Sequence, residues 1–416
     1  MASVSASLNL PMLDNTVSAD SRQELPGDAT ILLRQAQPAD IPALLAIEER
    51  CFATDRLTRR SFQYLLTKAK ATGLVEVHSG AVVGYALVSF HSGTSLARLY
   101  SFAVDPDHRG RGVAKRLLAA AEQAARSRDC IYLRLEVRRD NAPAIDLYKK
   151  AGYREFGVYT DYYEDHMEAL RLEKRLGHSG PSAPLGGPLV PYYQQTLDFT
   201  CGPSALMMAM KALKPAEIEL GRKLEIRLWR ESTTVFMTSG HGGCGPFGLA
   251  LAAARRGFAV DIHIKDNATP FLDSVRSDEK KEVMRIVHED FLDELEGSGA
   301  TVRHNTLSAQ DMADAVAGGA IPIVLISSYR IYHEKFPHWV VVTGADERFL
   351  YVHDPLVYDR HHAHIDRMNM PIPKADFERM ARYGKAQLKA ALLLRPQSSD
   401  RAADGSANGS ANGSAG

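Results

Sequence analysis

Four cysteines in 416 residues, no net charge, no long apolar run and no repeat of solenoid length mark this chain by what it lacks. Four cysteines are too few for a disulfide framework at this length, which points to a reducing cytosol. Fifty basic and fifty acidic residues cancel. No global field therefore favours nucleic acid or an anionic membrane, and neither is expected as a partner. The longest apolar stretch, Ala315 to Ile326, is too short and too glycine-rich to span a bilayer. The first basic residue is Arg22, so the charged start of a secretory signal is missing. A cytoplasmic protein without membrane insertion is expected. The His361-His-Ala-His364 run reads as solvated loop histidines, because a complete metal site needs further ligands, and no metal is predicted.

Against these absences stand 45% hydrophobic residues, enough for more than one core at this length. Between Gly177 and Val190, nine of fourteen residues are Gly, Pro or Ser. Such a stretch cannot build an element interior and reads as a flexible connector. Residues 1–28 lack periodicity and 397–416 are low-complexity, so both are expected to be disordered. Two domains remain, 29–176 and 191–396.

The first domain alternates strands and helices: a strand at Ile31–Arg34, helices near Ile41 and across Ser61–Lys70, and strand-like runs at Gly73–His78, Val82–His91 and Ser95–Val104. A helix with apolar residues at helical spacing covers Gly112–Ser127, followed by a strand at Ile131–Val137, a helix at Ala142–Ala151 and a final strand pair. This order predicts an α/β (α+β) sandwich around a largely antiparallel sheet. In the second domain a helix begins after Thr200, helices follow at Phe247–Gly257 and Ser277–Glu296, and strands at Ala259–Ile264, Ile321–Ser327, His338–Ala345 and Phe349–His353. A helical part carrying Cys201 and a sheet part carrying His338 are expected.

Phe102 to Ala114 joins a strand to a helix through Arg109-Gly110-Arg111-Gly112-Val113-Ala114. Glycines there let the backbone approach a ligand, and the first turn of the helix offers free N–H groups and a positive dipole end to a pyrophosphate. Alone, the pair also fits a surface turn. Its frame sharpens the reading: Arg-x-x-Gly-x-Ala is followed by Leu135-Glu136-Val137, then Asp140-Asn141-Ala-Pro, then Leu147-Tyr148-Lys-Lys-Ala-Gly-Tyr153.

That order resembles the GNAT acetyltransferases, most nearly those that acetylate the N-terminal alanine of ribosomal proteins, over residues 30–176. The resemblance implies a GNAT mixed sheet and acetyl-CoA as co-substrate. It places the co-substrate on Val104, Arg109, Gly110, Arg111, Gly112, Val113 and Ala114, with Asn141 near the pantetheine arm. It also implies Glu136 as the base that deprotonates the amine and Tyr148 as the acid that protonates the leaving thiolate, roles a carboxylate and a phenol can fill. Packing readings compete: Tyr148 as a core aromatic, Glu136 as a solvated strand residue. Tyr159, Tyr162 and Tyr163 suit the wall of an amine site or simple packing on the sheet.

In the second domain Thr200-Cys201-Gly-Pro203 puts a thiol where a helix begins, and a helix amino terminus stabilises a thiolate. Gln195 precedes it by six residues and can donate an amide N–H to an oxyanion. Downstream, Pro337-His338-Trp opens an apolar strand and Val352-His353-Asp354-Pro closes the next, so imidazole and carboxylate can meet as base and orienter. These residues resemble the papain-like cysteine peptidases of the bacteriocin-processing type over 189–395. The match implies Cys201 as nucleophile, His338 as base, Asp354 as orienter and Gln195 in the oxyanion hole. Cys244-Gly-Pro repeats the nucleophile's look with Thr238 six residues before it, and is read as a helix entry or cleft wall. Cys51 and Cys130 are read as small buried residues.

Together the two halves predict a bifunctional protein that acetylates an amine, with a peptide or protein N-terminus as the expected substrate partner, and that carries a thiol peptidase site. Other readings are a small-amine acetyltransferase, and a second domain that only binds peptide or that transfers acyl groups.

Overall fold

The computed structural model describes residues 21–24, 30–177, 188–233, 242–266, 268–356 and 367–397. Most of the lead, connector and tail, and the His361–His364 run, lie outside the described residues. The chain divides into two units, Met1–Phe90 with Ala97–Gly177 and His91–Leu96 with His178–Gly416. Among the described residues no helix is long and apolar enough to cross a membrane.

The first unit holds β1 (Ser21–Glu24), β2 (Thr30–Gln35), α1 (Ile41–Cys51), α2 (Arg59–Thr67), β3 (Ala71–His78), β4 (Ala81–Phe90), β5 (Leu96–Val104), α3 (Val113–Arg126), β6 (Tyr132–Arg138), α4 (Ala142–Lys150), β7 (Arg154–Tyr159) and β8 (Ala169–Arg175). The strands form one sheet in the order β1-β2-β3-β4-β5-β6-β8-β7. β2 to β5 pair antiparallel in succession, while β8 inserts between β6 and β7, antiparallel to both. The central strands are buried on both faces. Leu44, Ile47 and Phe62 of α1 and α2 pack with Val75, Tyr85 and Leu87. Leu117, Leu118, Ala121 and Tyr148 of α3 and α4 pack with Val88, Leu99, Leu133 and Leu135. The helix starts follow local chemistry. Thr58 accepts from Ser61 N at 3.2 Å and Asn141 from Ala144 N at 3.2 Å, each satisfying an otherwise orphaned first-turn N–H.

The second unit contains α5 (Cys201–Leu213), α6 (Arg222–Ser232), α7 (Pro246–Ala254), β9 (Phe258–Ile264), α8 (Asp278–Leu295), β10 (Ala300–Arg303), α9 (Ala309–Ala317), β11 (Ile321–Ser327), α10 (Tyr329–Tyr332), β12 (Pro337–Ala345), β13 (Phe349–His353), β14 (Met370–Pro373), α11 (Lys374–Met380) and β15 (Ala390–Pro396). Its sheet runs β10-β9-β15-β11-β12-β13-β14. This corrects the expected split into a helical part and a sheet part, because helices cover both faces of one sheet. Ile323, Leu325, Trp339 and Val341 face α5 and α7, and the alternate residues Val324, Ile326, Val340 and Val342 face α9 and α11. Burial on both faces explains the unbroken apolar runs of β11 and β12. It also explains α7, whose nine residues are all buried, as expected of a helix that is apolar all round. β15, the last strand in sequence, pairs antiparallel with both β9 and β11 at the centre. Val190, expected in the connector, is buried in this core.

Candidate active sites

In the first unit β5 ends at Val104, and a short turn over Pro106–His108 leads to Gly110 and Gly112 before α3. Both glycines are left-handed, with φ of 76° and 79°, a conformation costing other residues roughly 1–2 kcal/mol. Gly112 occupies the N-cap of α3 with no side chain capping it, and a β-carbon on Gly110 would meet nothing within 4 Å. The first-turn N–H groups thus face an open approach, as an anionic ligand requires. Arg109 and Arg111 are exposed beside it. Arg109 Nε donates to Val104 O at 3.3 Å, and the Arg111 carbonyl accepts from Arg116 Nη1 at 3.2 Å. Arg116 is anchored in turn by the fully buried Glu76, at 2.6 Å.

Glu136 lies on the face of β6 opposite Leu135 and Val137. It is not solvated. Arg98 Nε donates to its Oε2 at 2.7 Å, Arg98 Nη2 lies 2.5 Å from the same oxygen, and Nη2 also donates to Tyr162 Oη at 2.9 Å. Burial alone would favour neutral Arg98, but Glu136 and Tyr162 hold its titration above the ordinary range. The Tyr162 phenol is pushed up to about 12, chiefly by burial, with Arg98 pulling the other way. Tyr159 stacks on Tyr162 with ring centroids 5.5 Å apart, and Tyr163 meets Tyr162 edge-on at 5.0 Å. Tyr148 is buried on α4 against Phe102 and Tyr153, and burial raises its phenol so that it stays protonated at neutral pH. No hydrogen bond joins Tyr148 to Glu136 among the described residues. Asn141 caps α4. Cys130 is buried and Cys51 is half-buried.

In the second unit Cys201 is the first residue of α5 and is half-buried. His338 at the start of β12 and Asp354 just past β13 are both buried, and His338 Nε2 lies 2.6 Å from Asp354 Oδ1. Asp354 also accepts from Tyr332 Oη at 2.6 Å and from Leu356 N at 2.8 Å. Burial opposes charge on both partners, yet each charges the other. His338 is raised to about 10, mainly by the Asp354 carboxylate, and Asp354 is lowered to about 2 by His338, Arg367 and Tyr332. The other imidazole nitrogen, Nδ1, accepts or donates no full hydrogen bond. The Cys201 thiol is close enough to add to the ring's basicity. An imidazolium beside a thiol at a helix start favours the thiolate. Gln195 is buried, its N donating to Pro355 O at 2.8 Å and its Nε2 to Leu197 O at 2.8 Å. An amide carries two N–H bonds, so one donor of Gln195 is not used by Leu197. Cys244 is fully buried, and desolvation holds its thiol protonated. Its carbonyl accepts from Trp339 Nε1 at 3.0 Å, making it part of the wall.

The first unit's sequence settles its lineage. Residues 41–153 match the acetyltransferase (GNAT) family. A putative ribosomal protein bS18-alanine N-acetyltransferase of Bacillus subtilis is 32% identical over 137 residues, covering 33% of this chain and 89% of the relative. The chain belongs to the GNAT acetyltransferase family. An N-alpha-acetyltransferase of Sulfurisphaera tokodaii is 30% identical over 34% of this chain and 90% of its own length. Among solved structures, the ribosomal-protein-S18-alanine N-acetyltransferase from Escherichia coli is similar at 25% identity and a TM-score of 0.33, over 37% of this chain and 98% of that one. Residues 190–395 match a family described as Peptidase C39 like.

The GNAT unit uses acetyl-CoA as its co-substrate and transfers the acetyl group to an amine. Its glycine loop fits the co-substrate's pyrophosphate in backbone conformation, in open space and in uncapped N–H groups. Sequence reasoning named Glu136 but not its partner Arg98, which lies 38 residues away and is brought alongside by the pairing of neighbouring strands. It likewise missed Tyr332, on the four-residue α10. No signal at the level of motif marks either; only burial and hydrogen bonding do. Among the described residues no cluster of His, Cys, Asp or Glu could hold a metal.

Proposed function

We propose that this GNAT protein acetylates the α-amine of a peptide or protein N-terminus, and that its second unit is a thiol peptidase with Cys201 as nucleophile, His338 as base and Asp354 as orienter. In the first reaction the acetyl-CoA pyrophosphate rests on the backbone of Gly110 to Ala114 and the thioester reaches past Val104 toward Asn141. Glu136, directly or through water, takes a proton from the acceptor ammonium. The neutral nitrogen attacks the thioester carbonyl, the C–S bond breaks as Tyr148 gives its proton to the departing thiolate, and the nitrogen's second proton passes through water to the Tyr148 phenolate, leaving a neutral amide. Arg98 pairs with Glu136 in a buried setting and binds the Tyr162 hydroxyl in the same act, coupling the base to an aromatic wall of three tyrosines. Relatives named as alanine N-acetyltransferases support a peptide acceptor.

The thiol reading is carried by one observation: a buried His338–Asp354 pair at 2.6 Å, with the second ring nitrogen unbonded and the Cys201 thiol of the α5 start close enough to act on the ring. Its support in family likeness is the Peptidase C39 like match. The Cys201 sulfur attacks the peptide carbonyl while the Gln195 amide offers a donor toward the oxyanion; the C–N bond then breaks as His338 gives its proton to the leaving amine, and a water deprotonated by His338 hydrolyses the thioester, releasing the carboxylate product and returning the proton to Cys201.

Mass spectrometry of a cellular peptide pool incubated with acetyl-CoA and the protein, beside its Cys201→Ala variant, tests both halves. Acetylated N-termini and cleavage products lost only in the variant are expected. Acetylation of polyamines or aminoglycosides in preference to peptides would overturn the acceptor assignment. Unchanged turnover in both Glu136→Gln and Tyr148→Phe would remove the acid and base.

A further inference from the structure

Outside the Cys201, His338 and Asp354 group, the second unit buries another carboxylate with an unusual set of partners. Glu225, on α6, is fully buried. No cation pairs with it among the described residues. Four hydrogen bonds replace the cation. Tyr193 Oη donates to Oε2 at 2.9 Å, Thr196 N to Oε1 at 2.8 Å, Thr196 Oγ1 to Oε2 at 2.8 Å, and Thr200 Oγ1 to Oε1. All four donors come from residues 193–200, the segment that contains Gln195 and delivers the chain to Cys201.

No helix or strand defines that segment. It is irregular from Pro191 to Thr200, and its other anchors are Pro355 O, which accepts from Gln195 N, Leu197 O, which accepts from Gln195 Nε2 and Thr200 N, Asp354 O, which accepts from Tyr192 Oη at 3.0 Å, and Trp229, against which Phe199 packs. A carboxylate without a cation is expensive to bury and is retained only when its lone pairs are filled. Here every bond that fills them also fixes one point of the loop. Thr200 is the N-cap of α5 and precedes Cys201, so its bond to Glu225 sets where the thiol-bearing turn begins.

We propose that Glu225 is a positioning residue for the thiol site, clamping residues 193–200 so that the Gln195 amide and the Cys201 thiol face one point beside His338. This rests on the reading of Cys201 as nucleophile. Glu225 touches neither substrate nor the reacting atoms; it acts through the backbone it holds. The titratable groups beside Cys201 include His338 and the buried Cys244 thiol.

The test is the pH dependence of iodoacetamide alkylation at Cys201, followed by peptide mapping in the full-length protein, with melting curves recorded in parallel. In wild type the alkylation midpoint is expected well below about 8.5, the value of an ordinary thiol. Glu225→Ala is expected to move that midpoint up toward about 8.5 and to slow alkylation at pH 7 by roughly tenfold or more, because the thiol leaves its imidazolium partner. Glu225→Gln keeps one acceptor oxygen and is expected to fall between. It also serves if the alanine variant does not fold. A lowered melting temperature with an unshifted midpoint in whichever variant folds would overturn the proposal, leaving Glu225 a residue of stability alone. A wild-type midpoint already near 8.5 would overturn the nucleophile reading itself, an outcome distinguishable without any Glu225 variant.

Discussion

Replacing Gly112 by alanine separates two things the glycine loop does. Its φ of 79° is left-handed, so a β-carbon there costs roughly 1–2 kcal/mol of backbone strain. The added methyl would also sit 2.9 Å from Arg116 Nη1, the flexible end of a side chain that can move aside. If the loop keeps its conformation, the strain appears as lost stability. For a unit of this size that is a fall in melting temperature of roughly 2–8 °C. If the loop relaxes instead, the strain must be restored when acetyl-CoA binds, and its KM rises by roughly five- to thirty-fold with kcat little changed. Gly80 provides the control. It has a φ of 83° in the turn between β3 and β4 with nothing within 4 Å of a β-carbon, so Gly80→Ala carries the same strain outside residues 109–114. It is expected to lose stability without losing affinity. Steady-state assays of CoA release with melting curves on both variants decide the matter. An unchanged KM and melting temperature in Gly112→Ala would refute the argument that the loop conformation is required, and an equal KM increase in Gly80→Ala would refute its location.

Three further outcomes follow from the buried charges. His338 titrates near 10 in the folded chain against an ordinary 6.5, so its pairing stabilises fully below about 6.5 and is lost as pH rises through 10; Asp354, near 2 against 3.8, stabilises above about 3.8 and loses this as pH falls through 2. Melting of the second unit should therefore weaken between pH 6.5 and 10, and Asp354→Asn should flatten that decline; parallel wild-type and variant curves would contradict the pairing. Arg98→Met leaves the Glu136 carboxylate buried and unpaired, expected to cost about 3–5 kcal/mol, whereas Arg98→Met with Glu136→Gln should recover most of the loss in a double-mutant cycle. Tyr332→Phe removes one of three donors to Asp354, a loss of about 1.5–3 kcal/mol for a bond to a charged group, measured by denaturant unfolding.

Much of both sites was legible because their chemistry is local. Arg109 to Ala114 is a strand-to-helix turn whose glycines announce themselves by spacing, and Cys201 with Pro203 marks a helix start from four residues. His338 and Asp354 lie 16 residues apart on paired strands, so a hairpin was enough to anticipate their meeting. Arg98 was not legible, because a cation 38 residues from Glu136 becomes its partner only through the adjacency of β5 and β6. Glu225 was hidden for a similar reason: its partners at 193–200 belong to another element, and a glutamate on an amphipathic helix reads as solvated until its burial is known. The layering of the second unit also escaped the sequence, since β15 enters the sheet centre from the far end of the chain, and no periodicity records which strand will be its neighbour.

The amino-acid sequence by itself determined where turns and helix starts fall, which residues are chemically able to serve as nucleophile, acid or base, and that two unrelated motifs share one chain. Backbone conformation and side-chain reactivity are properties of a few adjacent residues, and these survive in a linear reading. The tertiary structure alone decided which charges are neutralised and by what. Glu136 is held by Arg98, Asp354 by His338 and Tyr332, and Glu225 by four donors from one loop. Burial makes each pairing obligatory, because a carboxylate removed from water must find its partners wherever the fold places them.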